Sequence, residues 1–176
     1  MNAPIEKHLL ALADAQGNEQ QQYLTFMLGG ETFAIGILAI KEIIEFDKLT
    51  TVPMMPRFVR GVINLRGAVV PVIDLSARFG RDVTTAGKRT CIVIVEVAAG
   101  EGAQDVGVLV DAVNEVMEIP AAEIEPAPAF GARVRSEFIA GMGKVGGRFV
   151  IILNVGHVLS AGEMGALSGA AQEETV

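Results

Sequence analysis

Apolar and polar residues alternate along this chain over short stretches that glycine pairs repeatedly interrupt. Tyr23–Leu28 and Glu31–Ile35 are extended runs joined by Gly29-Gly30, a pair that supplies the positive φ angles of a tight hairpin turn. Phe138–Val145 and Arg148–Asn154 repeat the arrangement around Gly146-Gly147. Between them lies GVINLRGAVVPVIDL, from Gly61 to Leu75, where two apolar runs meet at Arg66-Gly67. In the second run Ala68, Val70 and Val72 share one face, and Val69, Pro71 and Ile73 share the other. A strand with one wet face alternates apolar and polar residues; this one is apolar on both sides. One face belongs in a core, and the other needs cover of a kind a partner protein can supply. Pro71 has no amide to donate, which predicts an edge or irregular strand.

Thr90–Val97, Asp105–Val113 and Glu115–Ile119 read as further strands. Ile37, Ile40, Ile43 and Ile44 recur at helical spacing, with Lys41, Glu42 and Glu45 elsewhere on the surface, and this predicts one short amphipathic helix over Ile37–Phe46. Pro53 and Pro56 break the chain ahead of the central hairpin, and a polar turn runs from Ala77 to Arg89. The segment PAAEIEPAPAFGARV reads as a loop with three prolines and one aromatic, Phe130. Asn154 is placed to cap a short helix around Val155–Leu159.

Residues 1–20 form a lead-in, with Ile5, Leu9 and Leu12 along one side and a Gln-rich end. Residues 21–160 form the folded domain, and 161–176 a C-terminal helix or frayed tail. Many short strands with Gly turns indicate an all-β barrel or sandwich. Three hairpins recur without a strict sequence repeat, and no strand–helix alternation of the doubly wound kind is present.

Composition narrows the function. Aromatic residues are only 5% of the chain and Trp is absent, so an aliphatic core is expected. The net charge is −7, and the 14 basic residues are scattered rather than clustered, which argues against nucleic acid as a partner. The N-terminus lacks the apolar core of a signal peptide, and no run approaches the roughly 20 apolar residues of a membrane span. A cytoplasmic protein with no direct membrane insertion is the expectation.

Candidate chemistry is sparse. Gly141-Met142-Gly143-Lys144-Val145-Gly146 matches GxGxxG in form, but its glycines lead into another β run instead of a helix N-terminus. His8 and His157 are the only histidines, and no His or Cys spacing suits zinc. No Ser has the setting of a nucleophile elbow. Neither a metal nor a cofactor is expected, and no catalytic residue is assigned. Cys91, the single cysteine, is either a small buried hydrophobe or a reactive thiol. Arg66, at a hairpin tip, is a solvated turn residue or a contact, and Glu42 has the same two readings. Phe130 either caps the core locally or anchors a partner.

The blocks YLTFMLGGETFAIGILAIKEI, PRFVRGVINLRGAVVPVIDL, VGVLVDAVNEVMEI, PAPAF, GMGKV and FVIILNV, in that order from about Gln22 to Leu159, resemble the CheW family of chemotaxis coupling proteins. The NLRG…VP.(I/V)DL block is the specific one. The resemblance implies two interlocked five-stranded SH3-like β-barrels, with strands exchanged between sequence halves, and no enzyme activity. It implies an adaptor between the cytoplasmic tips of chemoreceptors and the regulatory domain of the histidine kinase CheA, recruited to membrane-associated arrays.

Carried onto this chain, the receptor-binding groove comprises Ile40, Glu42, Gly61, Arg66, Cys91, Val113 and Val116. Leu49 and Val69 make the main kinase contact. Glu125 and Phe130 make a second, ring-closing contact, in which other CheW-like subunits are possible partners; Glu125 is acidic where the family pattern has a basic residue. A coupler of a paralogous pathway, such as pilus-based motility, is the near alternative. A ligand-binding barrel or an enzyme would need a convergent polar cluster in a pocket, and none is evident.

Overall fold

The computed structural model describes residues 22–47, 49–99, 101–126 and 138–159. Eleven strands follow one another as β1 (Gln22–Leu28), β2 (Glu31–Gly36), β3 (Ile40–Glu45), β4 (Val59–Leu65), β5 (Ala68–Asp74), β6 (Cys91–Ala99), β7 (Gly102–Val110), β8 (Ala112–Glu118), β9 (Ile124–Glu125), β10 (Ile139–Val145) and β11 (Arg148–Leu153). Two single-turn helices, α1 (Leu75–Arg78) and α2 (Val155–Val158), follow β5 and β11. The strands form two sheets, in the orders β8-β1-β2-β11-β10-β9 and β3-β6-β7-β5-β4. Each sheet therefore has five long strands, and the first adds the two-residue β9. The first sheet joins β1 and β2 to strands from the far end of the chain, so the exchange between sequence halves is real.

The two sheets repeat one scheme. In the first, β8, β1 and β2 run antiparallel, β2 lies parallel to β11, and β10 completes a hairpin. In the second, β3, β6, β7, β5 and β4 do the same. Register shifts fall at matching places, at Ile40/Glu42 against the Val113–Glu115 step, and at Val59/Gly61 against Ile139/Gly141. Val69, Val70, Val72 and Ile73 of β5 thus correspond to Phe149, Val150, Ile152 and Leu153 of β11. The sequence shows no strict repeat because what recurs is bulge position and inward-facing volume, not residue identity.

This repeat explains strands that are apolar on both faces. Val70, Val72, Ile92, Ile94 and Leu109 fill the interior of the second barrel. Ala34, Ile119, Val150 and Ile152 fill that of the first. The largest core lies between them and takes the opposite faces, including Ile73, Val93, Val95, Phe26, Phe33 and Leu153. A file of rings, Phe26–Phe33–Phe79–Phe138, runs through it with centroids 6.1, 5.7 and 6.1 Å apart. The cover that Ile73 requires comes from the other barrel, whereas Val69 stays exposed.

The helix expected over Ile37–Phe46 is not formed. A 3-10 turn occupies Ile37–Ala39, and Ile40–Glu45 is β3, so Ile40 and Glu42 stand on a strand. Ile40 pairs with Val95 and Glu42 with Ile94, leaving Lys41 as an inserted bulge residue. The bulge resets the alternation, so Ile40 and Ile43, three apart, both face the core. That spacing imitates a helix, while β-branched isoleucines favour the strand.

Other expectations shift in smaller ways. β5 is an interior strand over residues 72–74, where β7 pairs with it, and among the described residues has β4 alone as neighbour over 68–71. Pro71 sits just before the parallel ladder begins, where a missing amide costs nothing. The strand expected over Asp105–Val113 is broken at Asp111, whose amide donates to the Met27 carbonyl and whose carboxylate accepts from the Gly29 amide. The polar stretch after β5 opens with α1, capped by Asp74. The first part of the Pro-rich loop contains a 3-10 turn at Ala121–Glu123 and then β9.

Candidate partner-binding surface

The central hairpin is anchored at its base by Asp74. Its side chain is fully buried and accepts from Arg60 Nη1 at 3.0 Å, Thr84 N at 2.7 Å, Thr84 Oγ1 at 3.0 Å and Ala77 N at 3.3 Å. Arg60 also donates to the Thr84 carbonyl at 2.8 Å. The Asp of the specific sequence block is therefore a structural node. It ties β4, α1 and the loop after α1 together behind the hairpin tip.

At the tip, Arg66 and Gly67 adopt φ of 52° and 88°, and Asn64 Oδ1 accepts from the Gly67 amide at 2.9 Å. The left-handed backbone turns the chain sharply and leaves the Arg66 side chain 72% exposed. Arg66 Nη2 donates to Glu42 Oε1 at 2.6 Å, which holds the guanidinium still more firmly charged. Beside this pair, Lys41 contacts Asp105 at 3.2 Å and Glu96 at 3.7 Å. The hydrogen bond to Asp105, then its charge, raises the Lys41 ammonium above its ordinary value. The sequence reading singled out Glu42 and Arg66 but not the neighbouring charged side chains Lys41, Glu96 and Asp105. Their proximity arises from the β3–β6–β7 pairing, in which Glu96 faces Asp105, and no local motif announces it.

Other residues of the expected receptor groove lie deeper. Ile40, Cys91 and Val113 are all buried in the core between the barrels, with Val116 half-buried against it. Ile40 and Val113 occupy matching bulge positions in the two barrels. Cys91 pairs with Glu45 at the opposite end of β3 from Ile40. Gly61 is needed for a close approach: a Cβ there would lie 2.6 Å from the Thr50 carbonyl oxygen and 3.1 Å from Leu49 Cβ, at a φ of +153°. Gly61 thus lets the Leu49–Thr50 segment lie along β4, where Thr50 bridges to Val62.

Leu49 and Val69 flank β4 from opposite sides. Leu49 is half-buried against the interior of the second barrel, and Val69 is 72% exposed on the part of β5 that β7 does not cover. Glu125 is exposed on β9, opposite Met142 of β10. Phe130 lies outside the described residues.

Burial pushes the Cys91 thiol up, Glu45 adds to the rise, and the Val113 backbone and Arg89 oppose it. Its Sγ donates to the Arg89 carbonyl at 3.2 Å. A proton retained in this way favours the small-hydrophobe reading over a reactive thiol. Iodoacetamide at pH 8 should alkylate Cys91 at least about tenfold more slowly in the folded protein than in urea. The folded thiol also keeps its proton to higher pH than the unfolded one. Its contribution to stability is complete below the unfolded thiol's pKa and is lost as pH rises through the folded value. Urea melts across that alkaline window should show the decline, and a Cys91→Ser variant should lack this component.

Among the described residues no group of three His, Cys, Asp or Glu side chains is arranged to hold a metal ion. Among the described residues the surface offers a charged tip, an exposed valine and a stretch of β5 that β7 does not pair. The sequence model of the CheW-like domain matches residues 22–163. The chain belongs to the CheW-like family. Within that family it is 34% identical over 152 residues to the chemotaxis protein CheW of Klebsiella aerogenes, covering 86% of this chain and 89% of that one. It is 27% identical over 156 residues to protein FrzA of Myxococcus xanthus, covering 88% and 94%. The crystal structure of the scaffolding protein TtCheW from Thermoanaerobacter tengcongensis matches with a TM-score of 0.71 at 34% identity, over 80% of this chain and 92% of that one. The double-barrel architecture is therefore that of a CheW-like scaffold.

Proposed function

We propose that this protein is a noncatalytic adaptor that couples chemoreceptors to the histidine kinase CheA in chemotaxis signalling arrays. The observation that carries the reading is the central hairpin. An apolar side chain, Val69, is 72% exposed on the part of β5 that β7 does not pair, on the same hairpin as Arg66 of the Arg66–Glu42 pair. Such a surface suits another β-domain better than a small substrate. Val69 and Leu49 form the kinase contact in this reading. Arg66, Glu42 and Gly61 meet the receptor tip, with Ile40, Cys91, Val113 and Val116 shaping that surface from beneath. Glu125 and Phe130 serve a ring contact with CheW-like or kinase domains.

No helix among the described residues is long and apolar enough to cross a membrane, which suits recruitment to an array through partners. The likeness to FrzA supports a second reading, a coupler for a paralogous receptor–kinase pathway.

Calorimetric titration into the regulatory domain of a CheA from the same genome tests the first reading. One-to-one saturable binding is expected, and no binding to any such kinase would favour the second.

Arg66→Ala should leave the melting temperature unchanged within about 2 °C, because an exposed ion pair contributes little. Receptor-dependent kinase stimulation should fall. A strong drop in melting temperature would make Arg66 structural and remove it from the receptor surface.

A further inference from the structure

The repeat between the barrels extends to their surfaces. Gly141 of β10 takes the part of Gly61: a Cβ there would lie 2.6 Å from Ile124 Cγ2 and 3.1 Å from the Glu125 carbonyl oxygen, just as one at Gly61 would meet Thr50 and Leu49. Ile124 and Glu125 thus correspond to Leu49 and Thr50, and Phe149 of β11 to Val69. Among the described residues five large apolar side chains are exposed, and two of them, Val69 and Phe149, occupy this one repeat position. Phe149 matches Val69 in its pairing as well. β2 joins β11 at Ile151 and Ile152, so among the described residues Arg148–Val150 has β10 alone as neighbour.

The two faces differ in charge. Asn64 and Ala68 accompany Val69 on the central hairpin, and their counterparts beside Phe149 are Lys144 and Arg148, both exposed. Among the described residues neither cation has an ion-pair partner. The tip of the central hairpin instead stands beside Glu42, Glu96 and Asp105, three carboxylates that share two cations, Lys41 and Arg66.

We propose that the β10–β11 hairpin is a second docking face, anchored by Phe149, and that it takes the Val69 face of a second copy of this chain. The inference rests on the reading of Val69 as a docking residue given above. An aromatic anchor flanked by cations suits a surface that is apolar at its centre and acidic beside it. The Val69 face has that composition. Two β10–β11 faces are poor mates for each other, because Lys144 and Arg148 would oppose their own equivalents. The contact therefore joins unlike faces. Each added copy leaves one face of each kind open, so association either continues or closes into a ring. A kinase regulatory domain seated on the Val69 face ends the series.

Sedimentation equilibrium of the full chain, carried up to near-millimolar concentration, tests this. The average mass of the unaltered protein should rise with concentration. Phe149→Asp and Val69→Asp should each stay monomeric, yet their equimolar mixture should form a dimer, because each variant keeps the face that the other lacks. Arg148→Glu, which leaves the apolar contacts in place, should weaken association about tenfold or more. An unaltered protein that stays monomeric throughout, a mixture that forms no dimer, or self-association that persists in Val69→Asp alone would each overturn the proposal. Titration with the kinase regulatory domain separates it from the functional reading. Phe149→Asp should bind that domain with unchanged affinity, and lost binding would overturn the division into two faces. A mixture that forms no dimer while kinase binding stays intact would sink the second face alone.

Discussion

Replacing Asp74 by alanine should cost about 3–5 kcal/mol of stability and lower the melting temperature by roughly 10 °C. The carboxylate is fully buried and is the shared acceptor for Arg60, both donors of Thr84 and the Ala77 amide. Removing it strands a guanidinium and two backbone amides in a partly dry setting, where each lost partner costs more than the bond contributed. Loss of the cap on α1 adds to the effect. Urea unfolding followed by circular dichroism measures it, with the slope against urea expected to stay constant. A loss below about 1 kcal/mol would mean that these donors find water readily, and the hairpin base would not be the rigid anchor described.

A charge at Val69 should have the opposite profile. The side chain is 72% exposed and lies where β5 is paired on one side only, so Val69→Asp should change stability by no more than about 0.5 kcal/mol. In a kinase interface built on that edge, an unpaired carboxylate must lose its water. Affinity for the kinase regulatory domain should fall about 100-fold or more, equivalent to roughly 2.7 kcal/mol. Calorimetry at matched folded fraction separates the two effects. Unchanged affinity would move the interface elsewhere, and a large drop in melting temperature would make Val69 part of the fold.

The hairpins were legible in the sequence because their turns are chemically marked. Gly29-Gly30, Arg66-Gly67 and Gly146-Gly147 all carry positive φ, and the strands on each side follow at once. The two-faced apolar pattern of Ala68–Ile73 was equally readable, since Val72 and Ile73 enter two different cores. β3 was misread because a bulge at Lys41 gives a strand the spacing of a helix. α1 was missed because its cap, Asp74, is also the end of a strand and is held by residues ten and fourteen positions away. In the candidate site, family resemblance supplied Glu42 and Arg66, and their contact at 2.6 Å joins a strand to a distant hairpin tip. The surrounding Lys41, Glu96 and Asp105 depend on pairing across three strands, which single-sequence pattern does not encode.

The parallel pairing of β2 with β11 brings Phe33 beside Ile151, whereas all pairings of the second barrel fall between Ile40 and Val110. On a ribosome the second barrel has every strand it needs before the first barrel does. In the β1–β2 hairpin, β1 finds β8 first, but β2 must wait for β11, 118 residues later (151 minus 33), roughly 6–24 s at ordinary rates of synthesis. During that interval Phe26 and Phe33 lack the C-terminal part of their core, and the finished second barrel is the apolar surface against which they can shelter.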